Sequence, residues 1–77
     1  MEIFIKYLEG QLNCAKKYAN DRQLIQLFQH NAYGATSFYS YKACLEGDMA
    51  LMHEIDKLWE EKYSPQFDEL IEKTLAP

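Results

Sequence analysis

One stretch of 22 residues, from Leu24 to Leu45, limits what this chain can fold into more than any other part of it. It contains five of the eleven aromatic residues of the chain and no acidic residue. Its apolar residues recur every three or four positions, which is the repeat of an α-helix with a buried side. We therefore predict a helix from about residue 22 to residue 45, roughly 36 Å long at ~1.5 Å per residue, around which the other elements pack.

The apolar residues of this helix form two stripes. The stripe expected to face the core consists of Leu24, Ile25, Phe28, Ala32, Ala35, Tyr39 and Ala43. The second stripe consists of Leu27, Asn31, Gly34, Phe38, Tyr41 and Leu45. Together they cover about 200° of the helix circumference, twice what a helix needs in order to face a single neighbour, so we expect two partners. The remaining side is a polar back formed by Gln26, Gln29, His30, Tyr33, Ser37, Ser40 and Cys44.

The segment from Asn31 to Gly34 is where a turn could divide this helix. The helical phase of the core stripe continues across the segment without a shift, so we predict a continuous helix. Gly34 costs about 1 kcal/mol relative to alanine in a helix interior. The favoured explanation for it is a close crossing with another helix, and the alternative is a small apolar cleft flanked by Phe38 and Tyr41.

Three further helices are predicted from apolar periodicity, over residues 2–20, 49–63 and 65–75. Either Asn20 or Asp21 is expected to cap the long helix, Gly47 to end it, and Asp48 to cap the next one. Ser64 and Pro65 are expected to separate the last two helices, with serine as the cap and proline in the first helical position. The predicted fold is all-α: one domain over residues 1–77, built as a small antiparallel up-down helical bundle with three main helices and a short C-terminal helix.

Charge is distributed unevenly along the chain. Residues 1–45 contain five basic and three acidic residues, for a net charge of +2, whereas residues 46–77 contain three lysines and nine acidic residues, for −6. A nucleic-acid binder needs a basic face, so we expect no direct contact with nucleic acid. Ala43 and Gly47 have the spacing of a helix-turn-helix, but the helix that follows is acidic and would repel phosphate, so this motif is rejected.

Neither a membrane segment nor a disulfide framework is expected. No apolar run approaches the ~20 residues that a membrane-spanning helix requires. The first residues are amphipathic, which is not typical of a signal peptide, so we expect a cytoplasmic location. Cys14 and Cys44 are too few for a disulfide framework and are interpreted as two half-buried thiols, with a single bridge between helices as the alternative.

The sequence contains no motif that indicates a catalytic or metal site. His30 and His53 lie on different predicted helices, and Lys57 stands where an HExxH motif would place its second histidine. Glu69 and Glu72 form a single carboxylate pair, whereas all-α phosphohydrolases bind Mg²⁺ with acidic pairs from two helices. We therefore predict no metal and no cofactor. A metal-assisted hydrolase that shares carboxylates across a dimer is kept as a minor alternative.

Surplus apolar surface leads to the main functional hypothesis. The second stripe of the long helix and a flank of helix 1 (Tyr7, Cys14 and Tyr18) exceed what a three-helix core can cover, and exposed apolar patches usually mark a partner. We predict a non-enzymatic interaction or regulatory protein that self-associates, most simply as a two-fold dimer. The predicted interface residues are Leu27, Gly34, Phe38, Tyr41, Tyr7 and Tyr18.

An alternative hypothesis uses the acidic half of the chain as a docking surface. Such a surface would attract a basic protein partner, including one that itself binds nucleic acid. The residues predicted to form it are Glu54, Asp56, Glu60, Glu61, Glu69 and Glu72.

Overall fold

The computed structural model describes residues 1–75 and is helical almost throughout. Helix α1 is Glu2–Lys17, α2 is Arg22–Leu45 and α3 is Met49–Leu58; a π-helical turn, Trp59–Tyr63, then leads directly into α4, Ser64–Leu75. No strand occurs in the part of the chain that is described. The predicted all-α helical bundle is therefore confirmed, with three helices of which the last is assembled from α3, the π-helical turn and α4.

Side-chain pairs define an up-down-up topology. Along α1 and α2, Phe4 stacks on Tyr39 with ring centroids 4.9 Å apart, and Gln11 lies 3.3 Å from Asn31. Since the partner number falls as the α1 number rises, these helices are antiparallel. Gln29 contacts Asp68 of α4 at 3.0 Å, and Tyr33 lies 5.8 Å from Trp59, so α2 is antiparallel to the last helix as well. The molecule is elongated, with extents of 47 × 18 × 16 Å.

Helix α1 ends at Lys17, three residues earlier than predicted. Tyr18 leaves the helical conformation with φ −109° and ψ 42°, and its carbonyl accepts a 2.9 Å hydrogen bond from the Asp21 amide. The Asp21 carboxylate then accepts from the Leu24 amide at 3.2 Å, so Asp21, one of the two predicted candidates, caps α2. The chain needs residues 18–20 to reverse direction, so they form a turn instead of a last helical turn.

The connection between α2 and α3 contains the predicted helix-ending glycine and the predicted aspartate cap. Gly47 has φ 77°, a left-handed conformation that favours glycine. The Gly47 amide donates to the Cys44 carbonyl at 3.0 Å and the Asp48 amide to the Ala43 carbonyl at 2.9 Å, which is the hydrogen-bond pattern of a Schellman motif. Asp48 then caps α3 by accepting from the Leu51 amide at 3.0 Å.

The predicted helix break at Ser64 and Pro65 is wrong. Ser64 is itself helical, with φ −54° and ψ −46°, and its amide donates to the Trp59 carbonyl five residues earlier. Proline has no N–H, and in a regular α-helix its ring would clash with the carbonyl four residues back. The wider π-helical turn just before Pro65 accommodates the proline without a break. The last two helices are consequently one interrupted helix, and no separate short helix closes the end of the bundle.

The core lies between all three helices, but on α2 it is rotated away from the predicted stripe. Ile25, Ala32 and Ala43 are buried as expected, whereas Phe28 and Tyr39 are only half-buried. Thr36, which the prediction omitted, is buried and donates to the Ala32 carbonyl at 2.8 Å. The rotation arises because the last helix packs against the side of α2 predicted to be polar. The residues buried in the core are Phe4, Leu8, Leu12, Ala15, Ile25, Ala32, Thr36, Ala43, Ile55, Trp59, Tyr63 and Phe67.

Between residues 1 and 75, none of the helices combines the length and the apolar character needed to cross a membrane.

Candidate interaction surfaces

The second apolar stripe of α2 faces solvent along its whole length. Its large residues are all more than half exposed: Leu27 is 51%, Phe38 62%, Tyr41 64% and Leu45 69% accessible. Taking ~100° per residue, the stripe lies on the opposite side of α2 from the buried Thr36. The second partner of α2 is therefore the last helix, which packs on the predicted polar back. Apart from the contact of Asn31 with Gln11, the stripe has no partner within the described chain.

Helix α1 extends this exposed apolar surface. Ile3 is 79% accessible, and Tyr7 is also exposed. Both line a groove of about 340 Å³ with Phe38 of α2 on its far side. We define the α1–α2 face as the exposed surface formed by Ile3, Tyr7, Tyr18, Leu27, Gly34, Phe38, Tyr41 and Leu45. Sequence reasoning missed Ile3, although its position four residues before Tyr7 places it on the same flank of the helix.

Tyr18 lies at the opposite end of the α1–α2 face. Its ring stacks on Phe28 with a centroid distance of 6.3 Å and an interplanar angle of 24°. The Lys17 ammonium lies 5.8 Å from the centroid of the same ring. Tyr18 is thus partly held by its own chain, whereas Ile3, Phe38 and Tyr41 present larger free surfaces.

Gly34 does not mark a close helix crossing within the chain. A Cβ atom built at this position would meet no atom within 4 Å, and the residue is exposed. The predicted crossing is therefore wrong as an intramolecular contact. The alternative of one cleft flanked by Phe38 and Tyr41 is also not formed, because Phe38 lines the groove toward α1 whereas Tyr41 lines a different groove toward α3.

The groove between α2 and α3 has a volume of about 450 Å³. Three of its lining residues are aromatic: Tyr33, Tyr41 and Trp59. The rings of Tyr33 and Trp59 lie 5.8 Å apart at an interplanar angle of 58°. Asp56 and Glu60 also line this groove, so it combines aromatic and acidic groups.

The six residues predicted to form one acidic surface are divided among several sides. Asp56 and Glu60 line the α2–α3 groove, whereas Glu54 and Glu61 line a groove of about 300 Å³ beside Met1 and Ile5 of α1. The other two lie on α4, where Glu69 pairs with Lys73 at 3.3 Å and Glu72 is exposed. The groove beside Met1 and Ile5 is also lined by Lys57 and Lys62, which balance the charges of Glu54 and Glu61.

A polar contact that the sequence did not predict joins α1 to the π-helical turn. The Tyr63 hydroxyl donates a 2.7 Å hydrogen bond to Oε1 of Glu9, and Lys62 Nζ lies 3.7 Å from the same oxygen. Burial, together with the hydrogen bond to Glu9 and the negative charge of its carboxylate, raises the pKa of Tyr63 to about 12. Tyr63 is fully buried, so we assign this contact to the packing of the bundle.

The thiols and histidines form no metal or disulfide site in the described chain. Cys14 and Cys44 are free and exposed, which corrects the expectation that they are half-buried, and the alternative bridge is not formed. His30 and His53 are also exposed. Within residues 1–75, no three histidine, cysteine, aspartate or glutamate side chains come together in an arrangement that could hold a metal ion.

The chain gives no match to a protein-family model, to a curated protein or to a solved structure. Its function is therefore inferred from its own side chains.

Proposed function

We propose that this protein is a small non-enzymatic interaction protein whose α1–α2 face pairs with the same face of a second copy. The observation that supports the proposal is the line of exposed apolar residues on α2. From Leu27 to Leu45 the exposed positions of the stripe, which include the polar Asn31 and the side-chain-free Gly34, alternate between spacings of four and three residues, and the stripe is about 27 Å long at ~1.5 Å per residue. This spacing is the repeat with which helices of different chains pack side by side.

Charge favours a second copy as the occupant of the α1–α2 face. Helix α2 contains no acidic residue, and its two fully charged basic residues, Arg22 and Lys42, lie toward its ends. Two chains that meet through this face keep their acidic α3 and α4 segments on the outside of the pair. Contact through α3, the π-helical turn and α4 would instead bring together two segments with seven acidic and three basic residues each, a net charge of −4, which is unfavourable.

The dimensions of the face and the position of Gly34 are compatible with such a pair. One long side of the molecule measures 47 Å by 18 Å, which is sufficient for the ~800 Å² per partner that a standard interface buries. Gly34 lies near the middle of the α2 stripe and has open space where its Cβ would be. A helix of a second copy could approach the backbone closely at this point.

The proposal is tested by sedimentation equilibrium across a series of micromolar concentrations. The variant Phe38→Lys places a charge in the middle of the face, on a helix that contains no acidic residue. Leu75→Lys is the matched control, because Leu75 is a similarly exposed apolar residue at the end of α4, outside the face. We expect the wild type and Leu75→Lys to show a mass close to twice the 9.1 kDa of one chain, and Phe38→Lys to sediment as a monomer.

Two results would overturn the proposal. One is a wild type that remains monomeric throughout the concentration series. The other is an equal loss of association in Phe38→Lys and Leu75→Lys, since that would mean that the added charge acts without regard to position. Circular dichroism of both variants shows whether they keep the helical fold.

A second candidate function is the binding of a basic protein partner by the acidic half of the chain. The observation that favours it is the separation of charge: +2 over residues 1–45 and −6 over residues 46–77. The division of the carboxylates between two grooves means that a partner would engage one side of α3, not all six predicted residues at once.

This second candidate is tested with a lysine-rich peptide and a neutral peptide of equal length. Binding should be present at low ionic strength only for the basic peptide and should weaken as the salt concentration rises, because exposed charges are screened over about 10 Å at 0.1 M salt. Equal binding of the two peptides would contradict it.

A further inference from the structure

Apart from Tyr41, the residues that line the groove between α2 and α3 take no part in the proposed self-association. Its aromatic walls come from both helices: Tyr33 and Tyr41 from α2, and Trp59 from the π-helical turn after α3. Trp59 is almost fully buried, whereas the two tyrosine rings are exposed. The volume of about 450 Å³ falls within the range of about 300–1,000 Å³ typical of small-molecule sites.

The charged groups of the groove are both carboxylates. Asp56 and Glu60 line it, and its lining contains no lysine, arginine or histidine. Among the residues that the structure describes, neither carboxylate takes part in an ion pair or a side-chain hydrogen bond. Asp56 is half-buried in this arrangement. With two carboxylates and no basic residue in its lining, the groove is negatively charged and favours a cationic ligand.

The polar groups of the lining indicate which kind of cation the groove would bind. Ser37 and Ser40 line the groove beside the two carboxylates, so the walls offer several oxygen acceptors in addition to the aromatic rings. A guanidinium group is planar, carries five N–H donors, pairs with a carboxylate through two parallel hydrogen bonds and stacks on aromatic rings. An ammonium group lacks both the plane and the paired donors.

We propose that the α2–α3 groove binds a guanidinium group, held by Asp56 and Glu60 against the rings of Tyr33, Tyr41 and Trp59. The group comes either from an arginine side chain of a peptide or from a free guanidino compound. Binding does not require self-association. Tyr41 belongs to both the groove and the α1–α2 face, but the two carboxylates and Trp59 belong to the groove alone.

Fluorescence of Trp59 reports binding directly, because it is the single tryptophan of the chain. The probe is propylguanidinium chloride, titrated below about 50 mM, where denaturation by a guanidinium salt is negligible. Propylurea has nearly the same shape without the charge, and sodium chloride gives the same ionic strength. We expect a saturable change with propylguanidinium alone. No saturable change, or an equal response to propylurea, would overturn the proposal.

Substitution of single carboxylates by amides of the same shape shows whether the α2–α3 groove is the binding site. Asp56→Asn removes the half-buried charge, and we expect its affinity for propylguanidinium to fall about tenfold, the size expected for a hydrogen bond to a charged group. Glu61→Gln is the matched control, because it removes one charge from the same helical segment but from the opposite groove, and it should alter the affinity by less than about twofold. Equal losses in the two variants would show general attraction to the acidic surface and would overturn the site.

Two further measurements are needed. The first distinguishes an arginine peptide from a free guanidino compound as the ligand, and the second tests groove binding independently of self-association. If acetyl-Gly-Arg-Gly-amide binds at least tenfold more tightly than propylguanidinium, the source is a peptide; similar affinities indicate a free guanidino compound, and either result supports the site. The Phe38→Lys variant should bind propylguanidinium like the wild type. A monomeric wild type that still binds the probe would therefore contradict self-association alone.

Discussion

The Tyr63 hydroxyl donates a 2.7 Å hydrogen bond to Oε1 of Glu9, across 54 residues of sequence. Tyr63 is fully buried at the end of the π-helical turn, and Glu9 is half-buried in α1. Lys62 reaches the same carboxylate from the neighbouring position, at 3.7 Å. One carboxylate thus connects α1 to the turn that lets the last helix pass its proline. This contact gives the fold a measurable dependence on alkaline pH.

We expect the free energy of unfolding to fall between about pH 10 and pH 12 because of Tyr63. Its pKa is about 12 in the folded chain against an ordinary 10.0. Below pH 10 the phenol is protonated in both states, so its contribution is fully present. As the pH rises above 10 the unfolded chain loses this proton first, and stability declines by at most roughly 1.4 kcal/mol per pH unit until the folded pKa is reached.

The variant Tyr63→Phe isolates this effect. At neutral pH it should lower stability by about 1 kcal/mol, because one hydrogen bond is lost while Glu9 keeps Lys62 nearby. Between pH 10 and pH 12 its stability should decline less steeply than that of the wild type, as measured by urea denaturation. Tyr41→Phe, at an exposed tyrosine, is the control and should follow the wild-type profile. Parallel profiles for the wild type and Tyr63→Phe would contradict the buried hydrogen bond.

Alanine substitution should raise the stability of the fold at two of the three glycines and lower it at the third. Gly10 and Gly34 lie within helices and have open space at the Cβ position, so each alanine variant should gain about 0.5–1 kcal/mol of stability. Gly47 has φ 77°, and alanine there should destabilise the fold by about 1 kcal/mol. Urea denaturation in the Phe38→Lys background keeps dimerisation from contributing. A loss of stability in Gly34→Ala would show that the glycine is needed within a single chain.

The two aspartate caps should contribute similar amounts to stability. Asp21 and Asp48 each accept a hydrogen bond from an amide in the first turn of a helix, and replacement of either by alanine should lower stability by about 1 kcal/mol. Glu54→Ala is a suitable control, because Glu54 is exposed within α3 and does not cap a helix. Thermal unfolding followed by circular dichroism measures all three variants. Losses no larger than that of the control would contradict the cap assignments.

Both thiols should react readily in the native state. Cys14 and Cys44 are free and exposed, so Ellman's reagent should titrate close to two thiols per chain at the same rate with and without urea. A thiol that reacts only after urea is added would be inaccessible in the native protein, which would contradict this prediction. Protection of Cys14 or Cys44 in the wild type but not in Phe38→Lys would place that thiol at the dimer interface.

Much of the candidate α1–α2 face follows from helical spacing alone. Leu27, Phe38 and Tyr41 can be assigned to one stripe because helix α2 is regular, so the angle of each side chain depends only on its position in the chain. The groove between α2 and α3 could not be found in this way. Its rings and carboxylates come from segments that approach each other only through the reversal at Gly47, and the phase of the second segment changes at the π-helical turn.

The same distinction holds for the whole protein. Local patterns in the sequence determined the all-α class, the uninterrupted α2, the Asp48 cap and the glycine turn, because each depends on residues within one or two helical turns of each other. The tertiary structure decided which side of α2 meets the last helix, how the chain passes Pro65, and that Glu9 contacts Tyr63. These features depend on how one helix lies against another, and no spacing along the chain contains that information.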